Sequence, residues 1–452
     1  MNIIIHSKHY LVPEFIYVSN QILKEWFGLD VTILPSKSDF IELSFQGLPN
    51  KICLPDTFFQ NFEFNKNFSQ LFISKEKFEL PQKLQDRLEI KTIPVFFKTP
   101  ALNIEDPNVT ICPIDIFGIS FFLLSRFEEF HSEIYDNHGR FLGKNSLMNR
   151  LGCPELPIVD ILAEILWYFI ESLSPDVPRK KSFFQKKISC DVDSPFLFHS
   201  SFFNLLKRAG GDLIYRNSIQ SCFLTLSGLN KMTRNYQRDP YRAAISFIIK
   251  ENNRHNNEVQ FNFIPLVTDE KYDGPDKFFS DEIKELISFI KSEGHSLGIH
   301  PGYETYKNEE LLKSSVEAFS IYSKDKIKGR QHYLRWKTGS TELLYEAAGI
   351  SSDSSLGNAD IGGFRCGTCR AFKIFSISER RCLNLIEEPL LIMENTYFSS
   401  KYLNFGVTEK SLKAMLRIKS WCKRLDGDFN LLWHNTSLLT DGEKEIYSQI
   451  IQ

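Results

Sequence analysis

From residue 185 to the end of the chain, short β-forming runs alternate with helical stretches. The β runs include QKKISCDVD at 185–193, EVQFNFIPL at 258–266, HSLGIHP at 295–301 and FNLLWHN at 429–435, and a further run is predicted at GRQHYLRW. Helical patterns such as DEIKELISFIKSEG separate them. Alternation of this kind produces a parallel sheet, here of six or more strands. We therefore expect an α/β fold, with either an open sheet or a barrel.

The first part of the chain has a different character, with irregular apolar runs and one strongly helical stretch, VDILAEILWYFIESL. The segment SPDVPRKKS at 174–182 has two prolines and a basic cluster, which is typical of a linker between domains. A chain of 452 residues also exceeds the size at which one hydrophobic core usually keeps growing. The predicted division is an N-terminal accessory domain of unknown role at 1–180 and a second domain at 181–452.

The composition excludes several classes of protein. The chain has 54 basic and 56 acidic residues in no long block, so nothing favours a nucleic-acid partner. The start lacks a basic region followed by a long apolar one, and the most apolar run, IFGISFFLLS, is too short to span a bilayer. Nine scattered cysteines do not form a disulfide framework. We expect a soluble, cytoplasmic protein with reduced thiols; the sequence indicates no oligomeric state.

Polar side chains recur at the predicted strand ends, where the chemistry of α/β folds gathers. They are Asp191, Asp193, His300, Arg330, His332 and His434. Asp191 and Asp193 leave their strand on one face, because residues two apart in a strand point to the same side. Taken singly, an aspartate here often caps a loop and a histidine is often structural. Together they are the residue types of a metal site with an acid and a base.

These residues fall in motifs that resemble the polysaccharide deacetylases, also called NodB-like or carbohydrate esterase family 4. The motifs are CDVDSP, GHSLGIHPGYE, RQHY and LWH, and they follow the family's order over roughly 185–440. More narrowly, DIFGISFFLLSRFEEF, DNHGRF, RQHYLRW and GGFRCGTC resemble a subgroup with an extra N-terminal domain, found in capsule and O-antigen clusters. The implied fold is an irregular (β/α) barrel preceded by a smaller α/β domain.

The resemblance implies a divalent metal held by Asp193 and His300. The family usually has a second histidine four residues after the first, but this chain has Glu304 there. Glu304 is placed slightly ahead as the third ligand, and His332 is the alternative. Zinc is expected from the ligand types, while cobalt, nickel and iron share them.

The implied activity is removal of an N-acyl group, expected to be acetyl, from a sugar or glycan in surface polysaccharide biosynthesis. Asp191 would act as the base and His434 as the acid, and Arg330 would orient Asp191, with Arg335 as the alternative. The predicted substrate contacts are Tyr333, near which a backbone N–H would hold the oxyanion, with Arg335, Arg365 and Leu432. Because the second histidine is absent, a catalytically weak or inactive relative that binds a glycan or a biosynthetic partner is the other hypothesis.

Overall fold

The computed structural model describes residues 2–61, 73–74, 76–99, 104–197, 202–214, 219–227, 239–274, 278–323 and 326–452. Two sheets account for most of its strands. Among the described residues, no helix combines the length and the apolar character needed to cross a membrane.

The described residues of the first part of the chain contain seven strands. They are β1 (Asn2–Ser7), β2 (Asp30–Pro35), β3 (Phe40–Phe45), β4 (Lys51–Pro55), β5 (Lys77–Glu79), β6 (Thr92–Pro94) and β7 (Val109–Ile111). Five of them form a mixed sheet in the order β2-β1-β3-β4-β7, and β5 pairs with β6. Burial alternates along β1, where Ile3 and Ile5 point into the core, as expected of a strand with one buried face.

The helices of this part are α1 (Pro13–Ser19), α2 (Thr57–Gln60), α3 (Gln82–Leu88), α4 (Ile116–Leu124), α5 (Phe127–Phe130), α6 (Leu147–Arg150) and α7 (Ile158–Leu173). Helix α4 is buried at every position. The apolar run IFGISFFLL is therefore a core helix, as its short length requires.

The second part contains the larger sheet. Its strands are β8 (Gln185–Val192), β9 (Val259–Phe263), β10 (Ser296–Ile299), β11 (Ile327–Gly329), β12 (Ile350–Asp353), β13 (Phe372–Ser376), β14 (Arg381–Glu387), β15 (Ile392–Met393) and β16 (Asp428–Leu432). Their order is β13-β14-β12-β11-β10-β9-β8-β16-β15. Every neighbouring pair is parallel except β13 and β14. The prediction of an α/β chain with a parallel sheet is confirmed.

The helices of the second part are α8 (Phe202–Ile214), α9 (Ile219–Ser227), α10 (Pro240–Arg254), α11 (Asp281–Ser292), α12 (Glu309–Phe319), α13 (Thr341–Ala347), α14 (Glu394–Phe398), α15 (Glu409–Arg424) and α16 (Asp441–Ile451). Helix α11 is typical: the Ser280 side chain caps its first turn, and Ile283, Leu286, Ile287 and Ile290 form its buried stripe.

Two details differ from the sequence prediction. The strand order has β13 and β15 at its ends, and the described residues do not pair these two strands, so the hydrogen-bonded sheet is open instead of closed into a barrel. The β run predicted at GRQHYLRW was wrong, since β11 ends at Gly329 and residues 332–334 form a 3₁₀ turn. Tyr333 and Leu334 have left-handed φ angles of 62° and 54°, which a strand cannot accommodate.

The two parts of the chain pack against each other through a continuous hydrophobic core. Hydrogen bonds also join them: the Tyr17 hydroxyl donates to the Lys373 carbonyl at 2.7 Å, and the Trp26 indole to the Ala371 carbonyl at 3.1 Å. The predicted boundary at residue 180 lies between α7 and β8. It stays a prediction.

Candidate metal centre

Three side chains meet at the carboxyl end of the larger sheet. Asp193 follows β8, His300 follows β10, and His332 lies in the turn after β11. Asp193 Oδ1 is 3.3 Å from His300 Nε2 and 3.7 Å from His332 Nε2. One ligand atom from each residue lies within 4.8 Å of the others. The arrangement follows from parallel pairing, which brings the carboxyl ends of neighbouring strands to one edge.

Both histidines are held through their Nδ1 atoms. His300 Nδ1 is 2.5 Å from the Arg330 carbonyl oxygen, and His332 Nδ1 is 2.6 Å from Asp273 Oδ1. Because a carbonyl or carboxylate oxygen only accepts, each Nδ1 carries the donated hydrogen. The lone pair of a neutral ring then lies on Nε2, which faces Asp193. Metal-binding histidines are commonly oriented by such partners.

Asp273 is itself firmly anchored. Its Oδ2 accepts from the Thr268 backbone at 2.8 Å, the Thr268 hydroxyl at 2.8 Å and the Asp269 backbone at 3.0 Å. Burial opposes its ionisation, but His332 and the Thr268 donors lower its pKa to about 2. Asp273 is therefore a carboxylate at neutral pH and fixes the His332 ring.

The local charges favour a cation among these three residues. Asp193 Oδ1 is buried and has no hydrogen-bond partner among the described residues. Burial lowers the pKa of His300, but Asp191 and Asp193 outweigh it and raise that pKa above its usual value. Either a proton on His300 Nε2 or a metal ion would be stabilised by the negative charge of these two aspartates. A carboxylate oxygen and two imidazole nitrogens are ligands that a divalent transition metal accepts, so the residues fit the implied metal.

Asp191 lies beside this cluster in a different environment. Its Oδ1 accepts from Asn262 Nδ2 at 2.7 Å and from an Arg330 guanidinium nitrogen at 3.0 Å, and its Oδ2 is 3.7 Å from His300 Nε2. Burial raises the pKa of Asp191, yet Arg330 and the histidines lower it below its ordinary value. Arg330 is fixed in turn by Ser189 Oγ at 2.7 Å. Asp191 is a buried carboxylate in a single orientation.

His434 approaches from the other side, directly after β16. Its Nδ1 is 2.8 Å from Glu394 Oε1, and its Nε2 is 3.8 Å from Asp193 Oδ2. Burial lowers the pKa of His434, but Glu394 and the two aspartates raise it to about 10. The ring is therefore an imidazolium at neutral pH, able to donate a proton toward the space beside Asp193.

The structure does not bring Glu304 to the cluster, which corrects the preference for it as third ligand. Glu304 Oε1 is 3.1 Å from Arg335, and its Oε2 is 3.4 Å from Lys307. After His300 the chain enters a turn in which the Gly302 carbonyl accepts from the Thr305 backbone. A spacing of four residues therefore does not place Glu304 on the same face as His300.

The predicted substrate contacts have varied surroundings. The Tyr333 ring centroid is 4.7 Å from that of His332. Arg335 donates to the His138 and Tyr303 carbonyls and not to Asp191, so it does not take the position of Arg330. Arg365 makes two hydrogen bonds to Glu129, at 2.8 and 2.7 Å. Leu432 is buried against Leu334, Ala359 and Leu390. Substrate contact by these four residues stays a prediction.

Sequence reasoning missed three residues of this region, Asn262, Asp273 and Glu394. Asn262 carried a usable signal, because it is a polar residue inside the apolar strand VQFNF. Glu394 also follows an apolar run, LLIM, and is completely buried. Asp273 belongs to the polar loop TDEKYDG, in which nothing distinguishes it from its neighbours.

The similarity of this chain to known proteins is partial and distant. The sequence profile of a family of unknown function, DUF7033, matches residues 3–175. No curated protein matches. Similar solved structures include a protein described as a polysaccharide deacetylase from Mycobacterium smegmatis (12% identity, TM-score 0.39, 60% of this chain and 84% of that chain). Another is Puue allantoinase (10% identity, TM-score 0.38, 60% of this chain and 83% of that chain). A third is a protein described as a polysaccharide deacetylase from Pseudomonas aeruginosa PAO1 (12% identity, TM-score 0.38, 68% of this chain and 90% of that chain). Likenesses this distant assign no function to the chain.

Proposed function

We propose that this protein is a metal-dependent hydrolase that removes an N-acyl group, expected to be acetyl, from a sugar in surface polysaccharide biosynthesis. The observation that carries the proposal is the cluster of Asp193, His300 and His332 with an ionised Asp191 at its side. The choice of an acylated sugar, and of a surface polysaccharide, rests on the resemblance of the motifs.

Asp193, His300 and His332 would hold the metal. With a divalent ion bound there, the site would gain a Lewis acid that lowers the pKa of water and polarises the amide carbonyl. Catalytic zinc sites commonly have three protein ligands of these types and leave a further position for water. Zinc is the metal we propose, and cobalt, nickel and iron accept the same ligands.

Asp191 would accept the proton of the attacking water. Asn262 and Arg330 both donate to its Oδ1, which leaves Oδ2 as the oxygen that faces His300. A carboxylate held in this way loses little freedom during the reaction. Arg330 would also keep Asp191 ionised in spite of its burial.

His434 would protonate the departing amine, because an amine leaves poorly without a proton. Its pKa, raised to about 10, keeps it charged over the neutral range, and Glu394 fixes its ring. The Tyr333 backbone N–H, in the turn that carries His332, would help to hold the developing oxyanion.

The glycan-binding hypothesis drew its support from the absence of a second histidine in GHSLGIHPGYE. His332 offers an imidazole at the place where that ligand would be needed. A complete set of three ligands together with a separate base and acid favours the hydrolase.

The test is acetate release from a panel of N-acetylated nucleotide sugars and oligosaccharides with saturating zinc or cobalt. Asp191→Asn should keep its metal and its fold but lose about 10² to 10⁴ in rate, because the water loses its proton acceptor. Asp428→Asn is the matched control, since Asp428 begins β16, at the end of the strands opposite to the metal centre, and pairs with Lys187. If the metal-loaded wild-type protein binds a glycan but releases no acyl group, the hydrolase proposal is contradicted and the glycan-binding hypothesis is supported.

A further inference from the structure

The segment DNHGRF at 136–141, in the first part of the chain, lies against the turn that carries His332. An Arg140 guanidinium nitrogen donates to the Tyr333 carbonyl at 3.1 Å. Arg335 Nε donates in the opposite direction, to the His138 carbonyl at 2.8 Å. Each arginine thus binds the backbone two residues before the other arginine. We call Arg140, Arg335 and the two carbonyls the arginine clasp.

Arg140 has a single well-defined position. Its Nε and a terminal nitrogen donate to Asp136 Oδ2 at 2.9 and 2.7 Å, and the same terminal nitrogen is 3.1 Å from the Tyr402 hydroxyl. The side chain is only 6% exposed. A planar guanidinium with fixed donors specifies the orientation of its partner more tightly than a lysine ammonium would.

Arg335 is equally constrained on its side of the clasp. Its guanidinium carbon is 3.7 Å from the Tyr303 ring centroid and 3.9 Å from that of Tyr306. It also donates to the Tyr303 carbonyl at 2.6 Å. The backbone of the opposing segment comes close: a Cβ at Gly139, whose φ is 72°, would be 3.2 Å from the Tyr306 hydroxyl. The sequence NHGR therefore allows a close approach that a larger residue would oppose.

The clasped turn is strained and adjoins a metal-ligand candidate. Tyr333 and Leu334 both have left-handed φ angles, which cost roughly 1 to 2 kcal/mol for each residue other than glycine. Such a conformation persists only where the surroundings fix it. Arg140 binds the carbonyl of Tyr333, the residue directly after His332. The His138 ring, 4.8 Å from the Tyr333 ring, packs against the same turn.

We propose that Arg140 is a positioning residue for the metal centre, so that the first part of the chain completes the site formed by the second. It acts through the backbone of Tyr333, which sets where the His332 imidazole points. The proposal rests on the metal site of the proposed function but not on the identity of its substrate.

The experiment measures cobalt affinity by the absorption of the bound ion, with Arg140→Met compared with Arg370→Met. Arg370 is a matched control because it is a mostly buried arginine of the second part of the chain that binds Asp160 in the first part. Arg140→Met should weaken affinity about 10-fold or more, as is typical when a partner that orients a ligand is lost. Arg370→Met should lower the melting temperature but keep the wild-type affinity and absorption spectrum. Equal affinity in the two variants would overturn the proposal.

If Arg140→Met does not fold, Arg140→Lys and Arg370→Lys provide the same comparison. The lysine keeps the charge beside Asp136, but its single nitrogen does not reproduce the separate, fixed donors that Arg140 directs at Asp136 and at the Tyr333 carbonyl. Cobalt affinity should therefore still fall at position 140 alone. Wild-type protein that binds no cobalt would overturn this proposal and the metal-dependent function together. If the Arg140 variants alone lose cobalt affinity while the wild type releases no acyl group from any sugar, the positioning role of Arg140 is supported. The proposal that the protein is a hydrolase is then contradicted.

Discussion

Asp191 and Asp193 are separated by one residue, yet their surroundings differ. Asp191 is 2% exposed and has its Oδ1 occupied by Asn262 and Arg330. Asp193 is 32% exposed and faces three imidazoles instead. Two carboxylates this close repel each other unless cations separate their functions. The arginine and the proposed metal provide that separation, one for each aspartate.

The identity of the third ligand gives a direct test at this scale. His332→Ala should reduce zinc or cobalt binding as severely as His300→Ala, because each removes one imidazole from the same three-residue set. Glu304→Ala should leave binding nearly intact, since Glu304 pairs with Arg335 and Lys307. Metal content and affinity of the purified variants are the measurement. If Glu304→Ala loses metal binding while His332→Ala keeps it, Glu304 is the third metal ligand.

At the scale of elements, strands were more informative than loops. The sequence placed Asp191, His300 and His434 near one another because each lies at the end of a β run, and parallel strands end at one edge. It placed Glu304 slightly ahead of His332, whereas the structure groups His332 with Asp193 and His300. That choice depends on the Pro301–Gly302 turn and on the left-handed turn at Tyr333, neither of which a hydrophobic pattern encodes.

Apolar periodicity left open whether the sheet would close into a barrel, and it over-predicted the β run at GRQHYLRW. Apolar periodicity indicates that strands exist, but hydrogen bonding between their edges decides whether a sheet closes. The hydrogen bond of the arginine clasp joins residues almost two hundred positions apart, Arg140 and Tyr333, and apolar periodicity does not encode such a contact.

Gly302 offers a test of how the loops support the centre. A Cβ at this position would lie 2.7 Å from both Asp273 Oδ2 and Thr268 Oγ1. Gly302→Ala should therefore displace Asp273, which holds His332, and cost roughly 1 to 3 kcal/mol in unfolding free energy. Metal affinity should fall with it.

Urea unfolding and metal titration measure these two effects. Gly210→Ala is the control, because no described atom beyond its chain neighbours and its own helix backbone lies within 4 Å of the Cβ it would add. Normal metal affinity in a folded Gly302→Ala protein would show that Asp273 tolerates displacement without moving His332.

For the whole molecule, ion pairs to one buried carboxylate fix the segment that connects the two parts of the chain. Glu164 on α7 is 4% exposed and binds Arg179, in the segment between α7 and β8, and Arg87. Arg179 also lies 4.9 Å from the ring centroids of both Phe27 and Trp167. Through Arg179, the linker predicted at 174–182 is thus packed against the first part of the chain.

Glu164 should make the stability of the whole chain depend on pH. Burial raises its pKa, but Arg179 and Arg87 outweigh burial and lower it to about 2. A carboxyl group with a depressed pKa stabilises the fold fully above its unfolded value of about 4.3, and that contribution is lost as the pH falls toward 2. Because both arginines are partly exposed, we expect the ionised Glu164 side chain to contribute about 1 to 3 kcal/mol to the free energy of unfolding.

The measurement is the urea-unfolding free energy at about pH 6 and about pH 3, the range over which such a carboxylate loses its contribution. Glu164→Gln should be less stable than wild type at the higher pH, because Arg179 loses its partner, and the difference should shrink at the lower pH. Glu409→Gln is the control: Glu409 pairs with Lys413 on the exposed face of α15, where solvent screens the charges. A Glu164→Gln deficit that stays constant between the two pH values would mean that the side chain contributes through packing and not through its charge.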